Sequence, residues 1–390
     1  MPKLLQINAT ANWGSTGKIA ETIGLAAIEL GWESSIAYGR SSNPSCSNLI
    51  KVGGQLTPYL HFAQQYFLDN EGQCSERVTR QLIRRIESIA PDIIHLHNIH
   101  DHWLNFPRLF EYLNGTDIKV VWTFHDCWAF TGHCFHFVHT NCMKWKNECC
   151  DCPQRNRYKD ASSRNYKLKR SLFTANKNLT IVPVSQWMAD FVKDSFLKDK
   201  HMCVIHNGID LSVFKPQRAQ TMNTTFNILA VSNVWHQSKG LYDIFKLREL
   251  LPLEFSITIV GVSSKQLKAL PDGINGVQRT QNVQELVNLY SDAGVFINPS
   301  YADTFPTVNI ESLACGTPVI TYNTGGSPEA IDEKTGVVVP QGDVNALAEA
   351  IKRMAASPLS SEDCRKRAEE HFDKDKCFRQ YIALYEELLK

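Results

Sequence analysis

The chain lacks an excess of charge of either sign. Its 390 residues include 41 Lys and Arg against 40 Asp and Glu, a formal net charge of +1. The net charge therefore produces no overall electrostatic attraction to nucleic acid, and we expect no nucleic-acid partner. Long apolar runs are also lacking, since no stretch approaches the ~20 residues that a transmembrane helix needs. The amino terminus, MPKLLQINATANWGSTGK, is too polar behind its short apolar run for a signal peptide, so the sequence predicts a cytoplasmic protein.

Length and hydrophobic pattern predict two domains. A chain of 390 residues exceeds what one hydrophobic core usually organises. Apolar runs typical of buried strands alternate with amphipathic helical segments, which favours parallel sheets with helices on both faces. A polar stretch without periodicity near residues 210–225 separates two such sets. The sequence therefore predicts an α/β protein of two Rossmann-like, doubly wound domains, residues 1–205 and 206–370, followed by a helix at 371–390 that packs back towards the first domain.

Two carboxylates follow a strand-like segment of the second predicted domain. Asp303 and Glu311 lie in YADTFPTVNIESLACGTPVI, directly after VFINPS. Pro306 suits the first turn of a helix that Thr307 or Asp303 could cap, and the N-terminus of that helix would offer N–H groups to an anion such as a diphosphate. Carboxylates bind hydroxyl-rich ligands well because each accepts several hydrogen bonds. Taken alone, however, such a pair is more often a helix cap and a solvated glutamate.

The longer segment DTFPTVNIESLACGTPVITYNTGG, residues 303–326, resembles the signature of the GT-B glycosyltransferases of family 4. That signature is an acidic residue, seven intervening residues, Glu, a small-residue helix end and a Gly-Gly turn. The family usually has Glu at the first position, so Asp303 is one methylene shorter. The resemblance assigns Asp303 to the hydroxyls of the transferred sugar and Glu311 to the nucleotide ribose. It also places the intervening residues Phe305, Pro306 and Thr307 in donor binding.

A second segment of the same domain, ILAVSNVWHQSKGL, is similar to the family's loop in which an Arg and a Lys hold the donor diphosphate. Lys239 matches the Lys. Asn233 or Val234 stands where the family has the Arg, so one fixed positive charge is replaced. The resemblance therefore makes Lys239 the residue that offsets charge developing on the leaving phosphate, with Asn233 beside it. The segment VIHNGIDLSVFKP is similar to the family's interdomain linker.

Near the amino terminus, GSTGKI invites a P-loop interpretation, which fails because position 12 is not Gly and no Ser or Thr follows Lys18. By resemblance it is instead the family's glycine-containing loop, whose backbone N–H groups approach the donor diphosphate. The residues so assigned are Gly14, Ser15, Thr16 and Gly17.

Polar residues also end two strand-like runs of the first predicted domain, DIIHLHN and WTFHDCW. A lone His after a strand is usually a hydrogen-bonded structural residue. The resemblance nevertheless implies that His125 reaches the donor sugar, and it places Asn98 and Asp126 on the acceptor side.

The segment GHCFHFVHTNCMKWKNECCDCP, residues 132–153, holds five cysteines and three histidines. Its spacing C-x7-C-x6-C-x2-C ends in a pair typical of structural zinc sites, while reduced thiols and disulfides are the alternatives. Zinc would stiffen an insertion, about residues 132–170, that we expect to be polar and without a core of its own. The segment also resembles segments in family 4 transferases of polysaccharide gene clusters. The candidate ligands are Cys134, Cys142, Cys149 and Cys152, with Cys150 as an alternate and His133, His136 and His139 nearby.

The resemblance spans nearly the whole chain and implies a retaining hexosyltransferase with two domains facing each other across a cleft. It would move a hexose-type sugar from a UDP- or GDP-sugar to a growing glycan, a lipid-linked polysaccharide intermediate. It implies no cofactor for catalysis and leaves structural zinc as the candidate metal. The basic stretch 155–170 adds an anionic membrane surface, the inner face of the cell membrane, as a candidate partner. The alternatives are a GT-B nucleotide-sugar epimerase and a zinc-stapled nucleic-acid-binding protein.

Overall fold

A computed structural model describes residues 1–155, 158–217 and 225–390. The chain forms two compact units, one of Met1–Ile205 with Phe378–Lys390 and the other of His206–Cys377. Part of the polar stretch at 210–225 and two positions of the basic stretch 155–170 lie outside the described residues. Among the residues described, no helix combines the length and apolar character needed to cross a membrane.

A seven-stranded sheet organises the first unit. In chain order its strands are β1 (Lys3–Asn8), β2 (Glu33–Tyr38), β3 (Asn48–Lys51), β4 (Ile93–Leu96), β5 (Lys119–Phe124), β6 (Leu179–Pro183) and β7 (His201–Met202). They lie in the order β3-β2-β1-β4-β5-β6-β7, and every neighbouring pair is parallel. Because the strand order reverses between β1 and β4, their carboxyl ends form the kind of edge at which doubly wound sheets bind ligands.

The described part of Met1–Ile205 forms six α-helices: α1 (Gly14–Glu29), α2 (Thr57–Leu68), α3 (Glu76–Ile89), α4 (Phe106–Leu113), α5 (Ser162–Ala175) and α6 (Gln186–Asp194). The central strands are buried on both faces. Leu5 joins a core cluster with Phe110 of α4, whereas its neighbour Leu4 joins another with Ile23 of α1. Successive strand residues point to opposite faces, so helices pack on each side of the sheet.

The second unit repeats the plan with six strands: β8 (Phe226–Val231), β9 (Phe255–Val260), β10 (Ile274–Val277), β11 (Val295–Asn298), β12 (Val319–Tyr322) and β13 (Gly336–Val339). They lie in the order β10-β9-β8-β11-β12-β13, again all parallel. Its helices are α7 (Leu241–Leu250), α8 (Ser264–Leu267), α9 (Val283–Asp292), α10 (Thr307–Ala314), α11 (Val344–Ala356) and α12 (Ser361–His371). The strand order reverses between β8 and β11. The predicted α/β class with two Rossmann-like sheets is confirmed.

The last helix, α13 (Lys374–Leu388), buries one face in the first unit. Phe378, Tyr381, Ile382 and Tyr385 are at most 3% exposed and pack in the cluster that contains Leu4. The spacing of these residues is that of a helix with one apolar face. The hydroxyl of Tyr385 also lies 2.6 Å from Nδ1 of the buried His95 on β4, which gives both polar groups a partner.

The cysteine segment packs into the main core of the first unit, contrary to the expectation of a polar insertion. Phe137 and Trp145 of the segment and Phe130 just before it are at most 2% exposed and belong to the main hydrophobic cluster of that unit. The rings of Phe137 and Trp145 lie 4.9 Å apart, and that of Phe191 on α6 lies 5.1 Å from Phe137. The expectation was wrong because these aromatic residues follow no helix or strand period, so a pattern search does not recognise them as buried.

Candidate active site

A lysine–carboxylate pair lies where the strand order of the second sheet reverses. Lys239 follows β8 and Asp303 follows β11, and Lys239 Nζ donates a 2.7 Å hydrogen bond to Asp303 Oδ2. The two side chains are 28% and 19% exposed, so solvent reaches both. Asn233 lies exposed in the same loop as Lys239. The structure therefore joins two of the predicted site residues and leaves them accessible to a ligand.

Backbone contacts hold the two loops together. Gly240 has a φ of +75°, and a Cβ at this position would lie 2.1 Å from the carbonyl oxygen of Pro299. The Tyr301 N–H donates to the carbonyl oxygen of Ser238 at 2.8 Å. A side chain at position 240 would push the loops apart, so only glycine permits this approach.

The Gly-Gly turn supports the backbone of Asp303. Gly325 has a φ of +58°, and a Cβ there would lie 1.6 Å from the Asp303 carbonyl oxygen. The next amide, of Gly326, donates to the carbonyl oxygen of Thr304 at 3.1 Å. The turn thus explains why glycine stands at position 325 of the segment.

The helix N-terminus beside Asp303 carries no side-chain cap. Helix α10 begins at Thr307, with Pro306 at the N-cap position, one residue earlier than the predicted first turn. Asp303, which was a candidate cap, instead pairs with Lys239. The N-cap residue Pro306 makes no side-chain cap hydrogen bond, and the N-terminal end of such a helix suits an anion.

Glu311 lies in α10 and is held by a residue that the sequence did not suggest. The hydroxyl of Tyr290, on α9, donates to Glu311 Oε2 at 3.0 Å. Burial of Tyr290 and the adjacent Glu311 carboxylate raise the pKa of the phenol well above its usual range, so it remains a donor. This hydrogen bond was missed in the sequence because Tyr290 lies on the apolar face of α9. The signal was that a buried tyrosine hydroxyl requires a partner.

The buried side chain of Phe305 anchors the loop that carries Asp303. Its side chain is 3% exposed, and its ring stacks on that of His206 with centroids 4.8 Å apart. His206 Nε2 lies 3.1 Å from Glu329 Oε2, which fixes the imidazole. Because the ring of Phe305 is covered, its contribution to a ligand site is through the backbone that it anchors.

In the first unit, the glycine-containing loop connects β1 to α1. Helix α1 begins at Gly14, and no side chain caps it among the described residues. Ser15 is exposed, whereas Gly17 is buried, and a Cβ at Gly17 would lie 2.7 Å from Thr10 Oγ1. The Asn8 side-chain amide lies 3.4 Å from Thr16 Oγ1. The loop therefore presents backbone N–H groups at the carboxyl end of β1.

Two further predicted residues lie at the same edge of this sheet. The backbone N–H of Asn98, after β4, donates to Asn8 Oδ1 at 3.2 Å. His125, after β5, places Nε2 3.1 Å from Nδ1 of His97, whose own Nε2 lies 3.1 Å from Gln6 Oε1. Burial lowers the pKa of His125 to about 4, so the imidazole is neutral near pH 7. His97 and Gln6 were missed because only the fold places their strands side by side.

Asp126 is engaged through both carboxylate oxygens. Oδ2 lies 2.9 Å from His100 Nε2, and Oδ1 accepts from the Trp128 N–H at 2.8 Å. Burial opposes ionisation, but the charge and hydrogen bond of His100 outweigh it and hold the pKa of Asp126 at about 2. Asp126 correspondingly raises the pKa of His100 against the effect of burial. The pair is an internal ion pair next to His125.

The cysteine segment contains a compact cluster. Ligand atoms of His133, Cys134 and Cys152 all lie within 4.8 Å of one another. The predicted ligands Cys142 and Cys149 line the same small cavity. All twelve cysteines of the chain are unpaired, so the disulfide alternative finds no support. The cluster includes a histidine that the predicted ligand set did not contain.

Comparison with protein families assigns both halves of the chain. Residues 20–213 match the family described as Glycosyltransferase Family 4, and residues 225–357 match that described as Glycosyl transferases group 1.

The chain is similar to two curated proteins with related names. It is 23% identical to the putative colanic acid biosynthesis glycosyl transferase WcaC of Escherichia coli, over 99% of this chain and 100% of that protein. It is 24% identical to the capsular polysaccharide biosynthesis glycosyltransferase CapM of Staphylococcus aureus, over 47% of this chain and 51% of that protein.

Solved structures share the fold. Sucrose-phosphate synthase from Thermosynechococcus elongatus is 20% identical with a TM-score of 0.76, covering 100% of this chain and 99% of that one. Anabaena HepE in complex with UDP-glucose is 12% identical with a TM-score of 0.65, covering 99% of each chain.

Proposed function

The chain belongs to the family 4 glycosyltransferases of the GT-B fold, and on that premise we propose that it is a retaining hexosyltransferase. The donor is a UDP- or GDP-sugar, and the acceptor is a growing glycan carried on a lipid. The relatives WcaC and CapM, named for colanic acid and capsular polysaccharide biosynthesis, support the choice of a polysaccharide. The HepE structures with UDP and UDP-glucose support a nucleotide-sugar donor.

The pairing of Lys239 with Asp303 beside the uncapped end of α10 is the observation that carries this proposal. A cation and free helix N–H groups suit a diphosphate, whereas a carboxylate suits sugar hydroxyls. At 2.7 Å the pair satisfies both groups before a ligand arrives. On donor binding, Lys239 would exchange Asp303 for a phosphate oxygen, and Asp303 would accept from the sugar. Glu311, oriented by Tyr290, would accept from the ribose.

The reaction requires these groups to stabilise a leaving diphosphate. The bond between the anomeric carbon and the diphosphate oxygen breaks, and its electron pair stays on that oxygen. The acceptor hydroxyl oxygen bonds to the anomeric carbon from the same face, and its proton passes to the leaving phosphate. Lys239 and the N–H groups at the start of α10 offset the charge that develops, which is the largest contribution such a site can make.

We assign supporting roles in the first unit to the residues at the edge of its sheet. His125 is neutral near pH 7 and is hydrogen bonded to His97, so it can bind a sugar hydroxyl without introducing charge. We also propose that the loop of Gly14 to Gly17, at the uncapped start of α1, supplies backbone N–H groups to an anion. Asn98 and Asp126 are proposed for the acceptor.

A donor panel tests the proposal. Purified protein is incubated with UDP- and GDP-sugars and lipid-linked acceptors, and released nucleoside diphosphate and glycoside product are measured together. We expect Lys239→Ala to lower kcat/KM by about 100- to 1,000-fold, as for loss of one donor to a developing anion. Lys246→Ala, at an exposed position of α7, is the matched control and should leave the rate unchanged.

Two outcomes would contradict the assignment. Unchanged turnover in both Lys239→Ala and Glu311→Ala would show that these two residues do not belong to the active site. Conversion of the donor sugar without any glycoside would identify an epimerase. Proton NMR of the product distinguishes retention from inversion at the anomeric carbon.

We also propose that the first unit contacts an anionic membrane surface. Helix α2 has no charged residue, and Tyr59, Leu60, Phe62 and Phe67 on it are more than half exposed. The ring of Tyr158 lies 5.4 Å from that of Phe67, next to the exposed Lys159. Aromatic and leucine side chains beside basic residues are typical of interfacial attachment.

Flotation with vesicles tests this contact. Vesicles containing phosphatidylglycerol should carry the protein, and pure phosphatidylcholine vesicles should carry much less. Phe62→Ser combined with Phe67→Ser should abolish flotation, whereas Leu253→Ser, at an 88% exposed position of the second unit, should not. Equal flotation of all three proteins would exclude α2 as the contact.

A further inference from the structure

The geometry of the cysteine segment is that of a metal site with one histidine. Cys134 Sγ and Cys152 Sγ lie 3.7 Å apart. Two thiolates at about 2.3 Å from a tetrahedral ion would be about 3.8 Å apart, so this separation already fits zinc. His133 Nε2 lies 3.1 Å from Cys152 Sγ, and it would need to open by roughly 0.5 Å to share an ion with that sulfur.

A buried carboxylate orients this histidine. Asp69 follows the last residue of α2 and is 3% exposed. Its Oδ2 lies 3.1 Å from His133 Nδ1 and accepts a 2.7 Å hydrogen bond from the Ala161 N–H. A carboxylate on one ring nitrogen fixes the tautomer in which the other nitrogen is the ligand, and this arrangement recurs around protein-bound zinc. Asp69 therefore directs Nε2 of His133 towards the thiols.

Cys149 is the best placed fourth ligand. It forms a C-x2-C pair with Cys152, the spacing by which one turn supplies two thiolates to a structural zinc ion. Its Sγ accepts a 3.2 Å hydrogen bond from the Gly132 N–H, next to His133 in the chain. Cys142 also lines this cavity, but it lacks the C-x2-C spacing to Cys152, and Cys150 is exposed.

We propose that His133 Nε2 and the thiolates of Cys134, Cys149 and Cys152 bind one zinc ion, and that Asp69 is the positioning residue. One nitrogen and three sulfur ligands in a partly buried cluster favour zinc in a structural role over an oxygen-loving cation. This set places His133 where the sequence had indicated Cys142. The site does not depend on the identity of the sugar donor or acceptor.

The ion would fasten the loop that follows His125 and Asp126. Through Asp69, which contacts His133, the ion would connect the end of α2 to this loop. The Cys152 N–H donates to Asp160 Oδ2 at 2.8 Å, so the ion would also connect the loop to the start of α5. The Cys127 N–H donates to the Phe135 carbonyl oxygen at 2.8 Å, so the residues beside the ligands also hold the residue after Asp126. Zinc would thereby stabilise the acceptor-side residues of the first unit.

Metal analysis of the full-length protein tests the proposal directly. We expect about one zinc ion per chain after purification or after reconstitution with zinc chloride alone. X-ray absorption should then show three sulfur atoms at about 2.3 Å and one nitrogen at about 2.0–2.1 Å. Absence of zinc under both conditions would overturn the site, and a shell of four sulfur atoms would overturn the role of His133.

Single-residue variants distinguish the proposed zinc ligands from cysteines that only lie near them. Cys152→Ser should lose the zinc, whereas the matched control Cys150→Ser should retain it. Asp69→Asn should weaken zinc affinity by about 10- to 100-fold in a chelator competition, since it leaves the ligands in place. If Cys142→Ser loses zinc while Cys149→Ser keeps it, the fourth ligand is misassigned.

Replacing one metal-binding residue by another still tests the site if the variants that lose a ligand fail to fold. His133→Cys should retain zinc and change the absorption spectrum to four sulfur atoms. If this variant instead keeps a nitrogen in the shell, another histidine is the ligand and our assignment is wrong.

Discussion

The hydroxyl of Tyr290 donates a 3.0 Å hydrogen bond to the carboxylate of Glu311 and connects helix α9 to helix α10. Tyr290 is fully buried, while Glu311 is partly exposed. The tyrosine therefore orients one oxygen of a carboxylate that is partly accessible to solvent.

Tyr290→Phe removes this donor, which helps to orient the Glu311 carboxylate. We expect the Kd for the nucleoside diphosphate to rise about tenfold, because a hydrogen bond to a charged group contributes about 1.5 kcal/mol or more. Isothermal titration calorimetry measures the change. Tyr242→Phe makes the same chemical change at an exposed position and should bind as the wild type does. Equal affinity in all three proteins would show that Glu311 does not contact the nucleotide.

Gly325→Ala should impair catalysis more than folding. Its Cβ would lie 1.6 Å from the Asp303 carbonyl oxygen, so the loop that carries Asp303 must move. We expect kcat/KM to fall by about 100-fold, since small displacements of positioning groups are this costly. Gly31→Ala is matched, because Gly31 also has a positive φ, +83°, but a Cβ there would meet nothing within 4 Å. That control should lose only about 1–2 kcal/mol of stability and keep its activity.

His125 should make the protein less stable as the pH falls. Burial lowers the pKa of His125 to about 4 in the folded protein, against about 6.5 in an unfolded chain. The neighbouring Asp126 raises this pKa and His100 lowers it, and both effects are included in that value. Between these two pH values the unfolded state binds a proton that the folded state does not. The contribution of His125 to the free energy of unfolding is therefore complete above pH 6.5. As the pH falls towards 4, this contribution is lost, and the free energy of unfolding falls by up to about 3 kcal/mol.

Urea denaturation at several pH values between 7 and 4 measures this effect. His125→Gln should show a shallower loss of stability than the wild type over the same window. Asn98→Ala changes a nearby side chain that does not titrate, and it should keep the slope of the wild type. Parallel curves for His125→Gln and the wild type would contradict the prediction.

Lys169 is a buried lysine that stabilises the loop after β5, and burial lowers its pKa to about 7. Its Nζ donates to the carbonyl oxygens of Trp128 at 2.6 Å and Thr131 at 3.1 Å, and it lies 3.5 Å from the Trp128 ring centroid. Lys169→Met leaves both carbonyl groups without this donor, so the free energy of unfolding should fall by about 2–4 kcal/mol. Lys167→Met removes an exposed ion pair with Glu148 and should lower the free energy of unfolding much less than Lys169→Met does. A comparable loss in both variants would show that burial of Lys169 is not the cause.

Much of the fold was predictable because its signals are local. The alternation of apolar strands with amphipathic helices follows from residue spacing alone, and both sheets agree with it. The positions of Asp303, Lys239 and His125 after strands were predictable for the same reason. The aromatic core of the cysteine segment was not, because Phe137 and Trp145 are buried by neighbours that are remote in the sequence.

The sequence by itself determined which chemical groups stand at the ends of the strands, since periodicity and turn residues act over a few positions. Only the tertiary structure decided which of these groups meet. Tyr290 reaches Glu311 across 21 positions, Asp69 reaches His133 across 64, and Tyr385 reaches His95 across 290. Such pairs depend on how buried polar groups find partners when the helices pack on the sheets, and no local pattern carries that information.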